Sequence, residues 1–495
     1  MYSFEEFLNK IKISYDNWDD FGHKTTAILR FYNKYERSDD ESRLVHFNVY
    51  PNENYIYDSI KNGVKPEVSD FCVLGNEDYY SFINKNIITE EDKKKWYELT
   101  NDLAYDLNLL ESMLEREKKL ERKKRFINES FLRSVSISEV KSQYNRMTKG
   151  GAYLSKFEIP IYYRNKKEKK VIYIKIDPND LIPENTYAII GKNGSGKTYF
   201  LKHISKMFLD EDSDFYTEKS NLRNIDRVIY ISYSPFDSTL DIENEKFYQI
   251  GLSNLGERVS FDEININKYN SISDYFNKEL ELALNELKNP KLYSSRELWK
   301  NIFNKFNYED WVIEFLEKIE NLDAELEKKE LIGIIENLSS GQKIVLLSLT
   351  SLVLKVKEKT VVIVDEPELF LHQSMIKSYV RALIEVITKN NGICIMATHN
   401  PIVLQEVQTS CVKTICRNKN NVLLKNLPIN SFGENVNMLN NVVFGLDIQN
   451  TGYYELISSM DRKTLEYEYE NLIKKMGSEG KILLNNFKEN FDEEN

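Results

Sequence analysis

Gly191-Lys192-Asn193-Gly194-Ser195-Gly196-Lys197-Thr198 is the segment that most restricts what this chain can fold into. It has phosphate-loop spacing, and it sits between a short apolar run, Tyr187-Ala188-Ile189-Ile190, and a helical pattern from Thr198 to Met207. Glycines are required because the backbone must turn sharply and approach an anion with no Cβ atoms in the way. Gly191, Asn193, Gly194, Ser195 and Gly196 are therefore expected to shape a phosphate cradle at a helix N-terminus. Lys197 is expected at the β- and γ-phosphates, and the Thr198 hydroxyl on Mg²⁺. A strand, a loop and a helix in that order commit this part of the chain to an α/β fold that binds a nucleoside triphosphate.

Two later segments complete the chemistry. Val361-Val362-Ile363-Val364 reads as a buried strand ending in Asp365-Glu366. Asp365 can hold Mg²⁺ directly or through water, and Glu366 is placed to orient and deprotonate an attacking water. A glutamate at that position predicts hydrolysis as well as binding. Ile393 to Ala397 forms the next strand, and His399 just beyond it can hydrogen-bond the γ-phosphate or the water. Between loop and acidic strand lies Leu338-Ser339-Ser340-Gly341-Gln342, followed by the apolar helical run Ile344 to Leu354. The amides and dipole of that helix can address a γ-phosphate, and Gly341 permits close approach.

A length of 495 residues allows two or three domains at roughly 150 residues each. The net charge of −11 argues against broad coating of nucleic acid, which needs clustered Lys and Arg. The four cysteines form no Cys-x-x-Cys pair, so neither a zinc site nor a disulfide framework is indicated. Met1 to Glu6 lacks the basic and apolar regions of a signal peptide, and the longest apolar stretch is too short to span a bilayer. A cytoplasmic protein with no membrane partner is expected.

Residues 1–105 read as a small α+β domain with a helical start (Phe4 to Ile13) and a strand over Thr25 to Tyr32. Gly22-His23-Lys24-Thr25 reads as a strand-entry turn, since the upstream glycine of a phosphate loop is missing. Residues 106–150 read as a helical linker, part of a helical pattern over Lys93 to Phe131. In it, Arg116 to Arg125 carries seven basic residues against two acidic ones, either a solvated face or a nucleic-acid contact. Residues 151–450 form the ATPase domain. It opens with strands Ile159 to Tyr163 and Val171 to Ile176 around the basic tip Arg164 to Lys170. A helical insertion is expected over about 260–336, with helices at Asp274 to Leu287 and Trp311 to Leu331. Residues 451–495 form a helical tail. Tyr163 and Tyr173 are candidates either for stacking a base or for the core.

The motifs in this order resemble those of ABC-type ATPases, over roughly residues 150–450. The resemblance implies an ABC-type P-loop ATPase head with a mixed, mainly parallel sheet, and ATP with Mg²⁺ as its ligands. It also implies that Ser339, Ser340, Gly341 and Gln342 close over the nucleotide of a second subunit, giving a homodimer with ATP sandwiched at the interface, or a higher oligomer. Glu366-Pro367-Glu368-Leu369-Phe370-Leu371-His372 and Ala397-Thr398-His399-Asn400-Pro401 are similar to the soluble SMC-like and overcoming-lysogenisation-defect-like branch. Tyr233 to Asp237, Phe247 to Leu252 and Ser431 to Asn435 add to that likeness, which extends to the ATPase subunit of Septu-type anti-phage systems. On this resemblance the chain regulates a nuclease supplied in trans, because only about 45 residues follow Asn450, too few for an effector domain. An SMC-like repair or chromosome-maintenance ATPase that clamps DNA is the alternative. A transporter subunit is disfavoured by Ser232-Tyr233-Ser234-Pro235, where transporters place a Mg²⁺-sensing Gln.

Overall fold

The computed structural model describes residues 2–15, 25–31, 43–50, 71–121, 125–133, 135–151, 153–164, 170–223, 225–234, 240, 242–251, 272–287, 289, 292–320, 333, 335–418, 421–444, 452–460, 462–478 and 480–485. The turn at 22–24, the basic tip at 165–169, residues 235–237, the start of the insertion at 260–271 and the expected helical stretch 321–331 lie outside them.

The first unit is an antiparallel sheet of β1 (Ile11–Tyr15), β2 (Thr26–Phe31), β3 (Arg43–Tyr50) and β4 (Cys72–Leu74), in that order. The opening helix stops at Leu8 rather than Ile13. Ile11 and Ile13 alternate with Lys12 and pair with Phe31 and Leu29, and strand pairing prevails over the helical pattern. Helices Glu77–Asn86, Glu90–Leu99 and Leu107–Lys118 follow. The expected long helix breaks at Asn101, whose φ is 47°. Residues 106–150 are not a linker. Leu110, Met113, Ile127, Phe131, Val140, Tyr144 and Met147 pack into the same core as Phe47, Tyr79, Tyr80 and Trp96. Of the basic run, Lys118 pairs with Glu115 at 2.5 Å, while buried Glu117 accepts the Ile127 and Asn128 amides at 2.7 and 3.2 Å.

The second unit carries β5 (Phe157–Tyr163), β6 (Lys170–Ile176), β7 (Thr186–Ile190), β8 (Phe215–Tyr216), β9 (Val228–Ser232), β10 (Phe247–Gly251), β11 (Val361–Asp365), β12 (Ile393–Thr398), β13 (Val412–Asn418) and β14 (Asn421–Asn426). Its main sheet has the order β10-β9-β11-β12-β7-β13-β14, and β6-β5-β8 form a small antiparallel sheet beside it. All neighbours in the main sheet are parallel except β13 and β14. Strands β7, β9, β11 and β12 are buried throughout, as parallel strands covered by helices must be. One strand, β12, separates the phosphate-loop strand β7 from the acidic strand β11. The fold is α/β with a parallel-rich sheet.

The insertion is helical where described, at Ile272–Leu287, Tyr293–Phe303 and Asp310–Glu320. It joins the main core, and the Trp299 indole N–H donates to Thr350 Oγ1 in the helix Ser340–Lys355 at 2.9 Å. No described helix is long and apolar enough to cross a membrane.

The first unit docks on the edge where the parallel strands begin. Buried Glu358, just before β11, accepts from Arg146 Nη2 at 3.0 Å and Ser155 Oγ at 2.6 Å. Asn391, just before β12, reaches Ser155 O at 2.6 Å, and Ser136 Oγ meets Asp226, just before β9, at 2.7 Å.

Within the first unit, Asp102 is fully buried and accepts from Tyr80 OH at 3.2 Å and from the Ala104 and Tyr105 amides at 2.9 and 3.0 Å. Burial outweighs these donors and pushes its carboxyl up to about 7. The folded value lies above the unfolded one, so this contribution to stability is complete below the unfolded pKa and is lost as pH rises through about 7. Asp102→Asn keeps the two amide bonds and removes that loss. Denaturation at pH 5 and pH 8 should show the wild type losing on the order of 1–3 kcal/mol relative to the variant at the higher pH, at ~1.4 kcal/mol per pKa unit.

Candidate nucleotide site

The phosphate loop follows β7 and leads into the helix Lys197–Phe208, whose N-cap is Gly196. Gly194 and Gly196 have φ of 74° and 96°, which a side chain would strain. A Cβ at Gly191 would stand 2.7 Å from both Ile415 O and Ser195 Oγ, whereas one at Gly194 would meet nothing within 4 Å. The inner side of the loop is closed by β13 and its outer side is open. Lys197 is buried and donates to Gly191 O at 3.0 Å, and Ser195 Oγ is buried with no hydrogen-bond partner among the described residues.

Asp365 ends β11 opposite Ala397, and Thr398 lies opposite Ile190, so the ends of β11, β12 and β7 lie level. Asp365 is buried and accepts from Tyr230 OH at 3.2 Å. Glu366 leaves the strand in the left-handed region, φ 53°, an uncommon conformation for a non-glycine residue, and is fixed by its amide on Ala397 O at 2.9 Å. His399 Nδ1 stands 3.4 Å from Glu366 Oε1 and 3.1 Å from Glu368 Oε1. Catalytic candidates Glu366 and His399 are therefore side by side.

Ser339 caps the helix Ser340–Lys355 in a reciprocal box: Gln342 N donates to Ser339 Oγ at 3.4 Å, and Ser339 N to Gln342 Oε1 at 2.8 Å. Each side chain is thus engaged with the other's backbone, and Ser340 between them is exposed. A Cβ at Gly341 would lie 2.6 Å from Phe370 O, so the signature packs on the segment that follows the acidic strand.

Two residues not singled out from sequence shape the site. Tyr230 reaches Asp365 from the neighbouring strand, and Glu368 holds His399. In the sequence Glu368 stands out only as part of the Glu366-to-His372 segment that carries the family likeness, with no role of its own. Tyr163 is buried against Phe215 and belongs to the core, while Tyr173 is exposed with its hydroxyl on Glu158.

The residues fit a Mg²⁺-bound triphosphate. The open loop lies over a buried lysine, and Thr198 and Asp365 offer the oxygen donors that a hard cation takes. Such an ion would supply charge neutralisation on the β- and γ-oxygens.

Residues 187–405 match the family described as "AAA domain, putative AbiEii toxin, Type IV TA system". Over nearly its whole length the chain is similar to Protein ea59 of Escherichia phage lambda, 27% identical over 528 residues, covering 98% of this chain and 96% of the phage protein. Among solved structures it is similar to an SmcHead bound to the C-winged helix domain of ScpA (12% identity, TM-score 0.28, 55% of this chain and 97% of that one). It is also similar to a nucleotide-free ATP-binding cassette from an ABC transporter (14% identity, TM-score 0.28, 60% and 98%). The matched span contains the phosphate loop, the signature, the acidic strand and His399.

If Lys197 meets the phosphates as its place under the loop implies, Lys197→Ala should remove a charge-assisted partner worth ~1.5–3 kcal/mol. Titration with a fluorescent ATP analogue should show affinity falling about 10- to 100-fold. Gly191→Ala should weaken the same titration by crowding Ile415 O.

Proposed function

We propose that the protein is an ATP-hydrolysing dimeric switch that controls an effector supplied in trans. The observation that carries the hydrolytic part is Glu366 and His399 at 3.4 Å, at the level sheet edge that also bears the phosphate loop. In this reading a water oxygen attacks the γ-phosphorus as the bond to the bridging oxygen of ADP breaks. Glu366 takes the water's proton, and Lys197 and His399 face the charge on the transferred group.

Dimerisation rests on the capped signature. Ser340 is exposed at a helix N-terminus, suited to meet a partner's γ-phosphate. ATP then joins two subunits, and hydrolysis releases them. The effector reading, a nuclease held by the ATPase within an anti-phage defence complex, is supported by the motif likeness to Septu-type subunits.

Glu366→Gln should lower ATP turnover on the order of 100-fold or more and accumulate an ATP-bound dimer in native mass spectra. Ser340→Arg should bind ATP normally yet stay monomeric; normal turnover in that variant refutes the trans-signature. For the effector, tagged Glu366→Gln protein is recovered from its host with ATP and its partners identified. A co-purifying nuclease supports the reading, whereas DNA without an effector replaces it with a DNA clamp.

A further inference from the structure

Glu368 is a buried acidic group beside the site. Its side chain is only 5% exposed, against 46% for His399 and 30% for Glu366. One oxygen, Oε1, collects three donors: Thr398 Oγ1 at 2.7 Å, the His399 amide at 2.9 Å and His399 Nδ1 at 3.1 Å. The other, Oε2, is buried with no hydrogen-bond partner among the described residues. Glu368 touches both the main chain and the ring of His399, whereas Glu366 is near the ring alone. Nδ1 faces carboxylate oxygens, which accept and do not donate when ionised. A nitrogen between two such oxygens is the one that carries the proton, and the opposite ring edge, Nε2, is turned away from both.

We propose that Glu368 is a positioning residue: its buried carboxylate holds His399 with Nδ1 protonated and turned inward, so that Nε2 is the edge presented to the γ-phosphate side of the site. This rests on the ATPase reading and deepens it. Burial raises the Glu368 carboxyl above its usual range, while its hydrogen bonds to Thr398 and the His399 amide and the charge of His399 pull it down. Glu368 also joins two segments. Its carboxylate fixes the turn after β12, and two residues on, Phe370 O lies against the signature glycine. Orientation of His399 is thus tied to the segment on which the partner-facing helix rests.

The test uses the full chain with three variants, Glu368→Ala, Glu368→Gln and His399→Ala. Side-chain ¹⁵N spectra, with His399 assigned by its own variant among the five histidines, report which ring nitrogen is protonated. The wild type and Glu368→Gln, which keeps an acceptor oxygen, should show the proton on Nδ1, and Glu368→Ala should move it to Nε2. Turnover in Glu368→Ala should fall about 10- to 100-fold, as when a histidine's outer partner is lost, with KM for ATP little changed and partial recovery in Glu368→Gln. Glu368→Ala combined with His399→Ala should be no slower than His399→Ala alone. A wild-type His399 protonated on Nε2, or losses that multiply in the double variant, overturns the assignment. A wild type that hydrolyses no ATP defeats the ATPase reading instead, and the tautomer still decides the role of Glu368.

Discussion

The site depends on the register in which β7, β12 and β11 are paired. Because these strands are parallel and their ends lie level, the phosphate loop, Asp365-Glu366 and Thr398-His399 all emerge on one edge. A slip of one residue would turn every side chain to the other face of the sheet. The buried Val361 to Val364 and Ile393 to Ala397 runs make such a slip costly, since side chains on both faces of the sheet are packed against covering elements. Hydrophobic burial thus sets the spacing of the polar groups, at about 25 cal/mol per Å² of apolar surface removed from water.

The same edge carries a short relay of contacts. Gly341 lies on Phe370 O, Glu368 is two residues back, and its carboxylate holds Thr398 and His399. The surface that would meet a second subunit and the histidine that would face the nucleotide therefore hang on one stretch of five residues, Glu366 to Phe370. Positive φ at both of its ends, 53° and 64°, shows how tightly that stretch is bent.

The first unit occupies the opposite edge of the sheet. Glu358, Asn391 and Asp226, each just before a parallel strand, receive Arg146, Ser155 and Ser136. Removing Arg146 is costly, because it leaves the buried Glu358 carboxylate short of its counter-charge. This unit is thus fastened to the second unit through polar contacts as well as by the chain between them.

The sequence alone determined the elements that have a local cause. The glycine pattern, the apolar runs and their order specified the phosphate loop, its helix, β11, β12 and the signature helix to within a few residues, because backbone sterics and burial of continuous runs act over short distances. It placed Glu366 and His399 as candidates because each ends such a run. Only the tertiary structure decided that Ile11 to Tyr15 is a strand, since its partner is β2, and that residues 106–150 belong to the first core. It also decided that Tyr163 is packing and that Tyr230 and Glu368 contact Asp365 and His399. Those outcomes rest on contacts between residues distant in sequence, which no local pattern encodes.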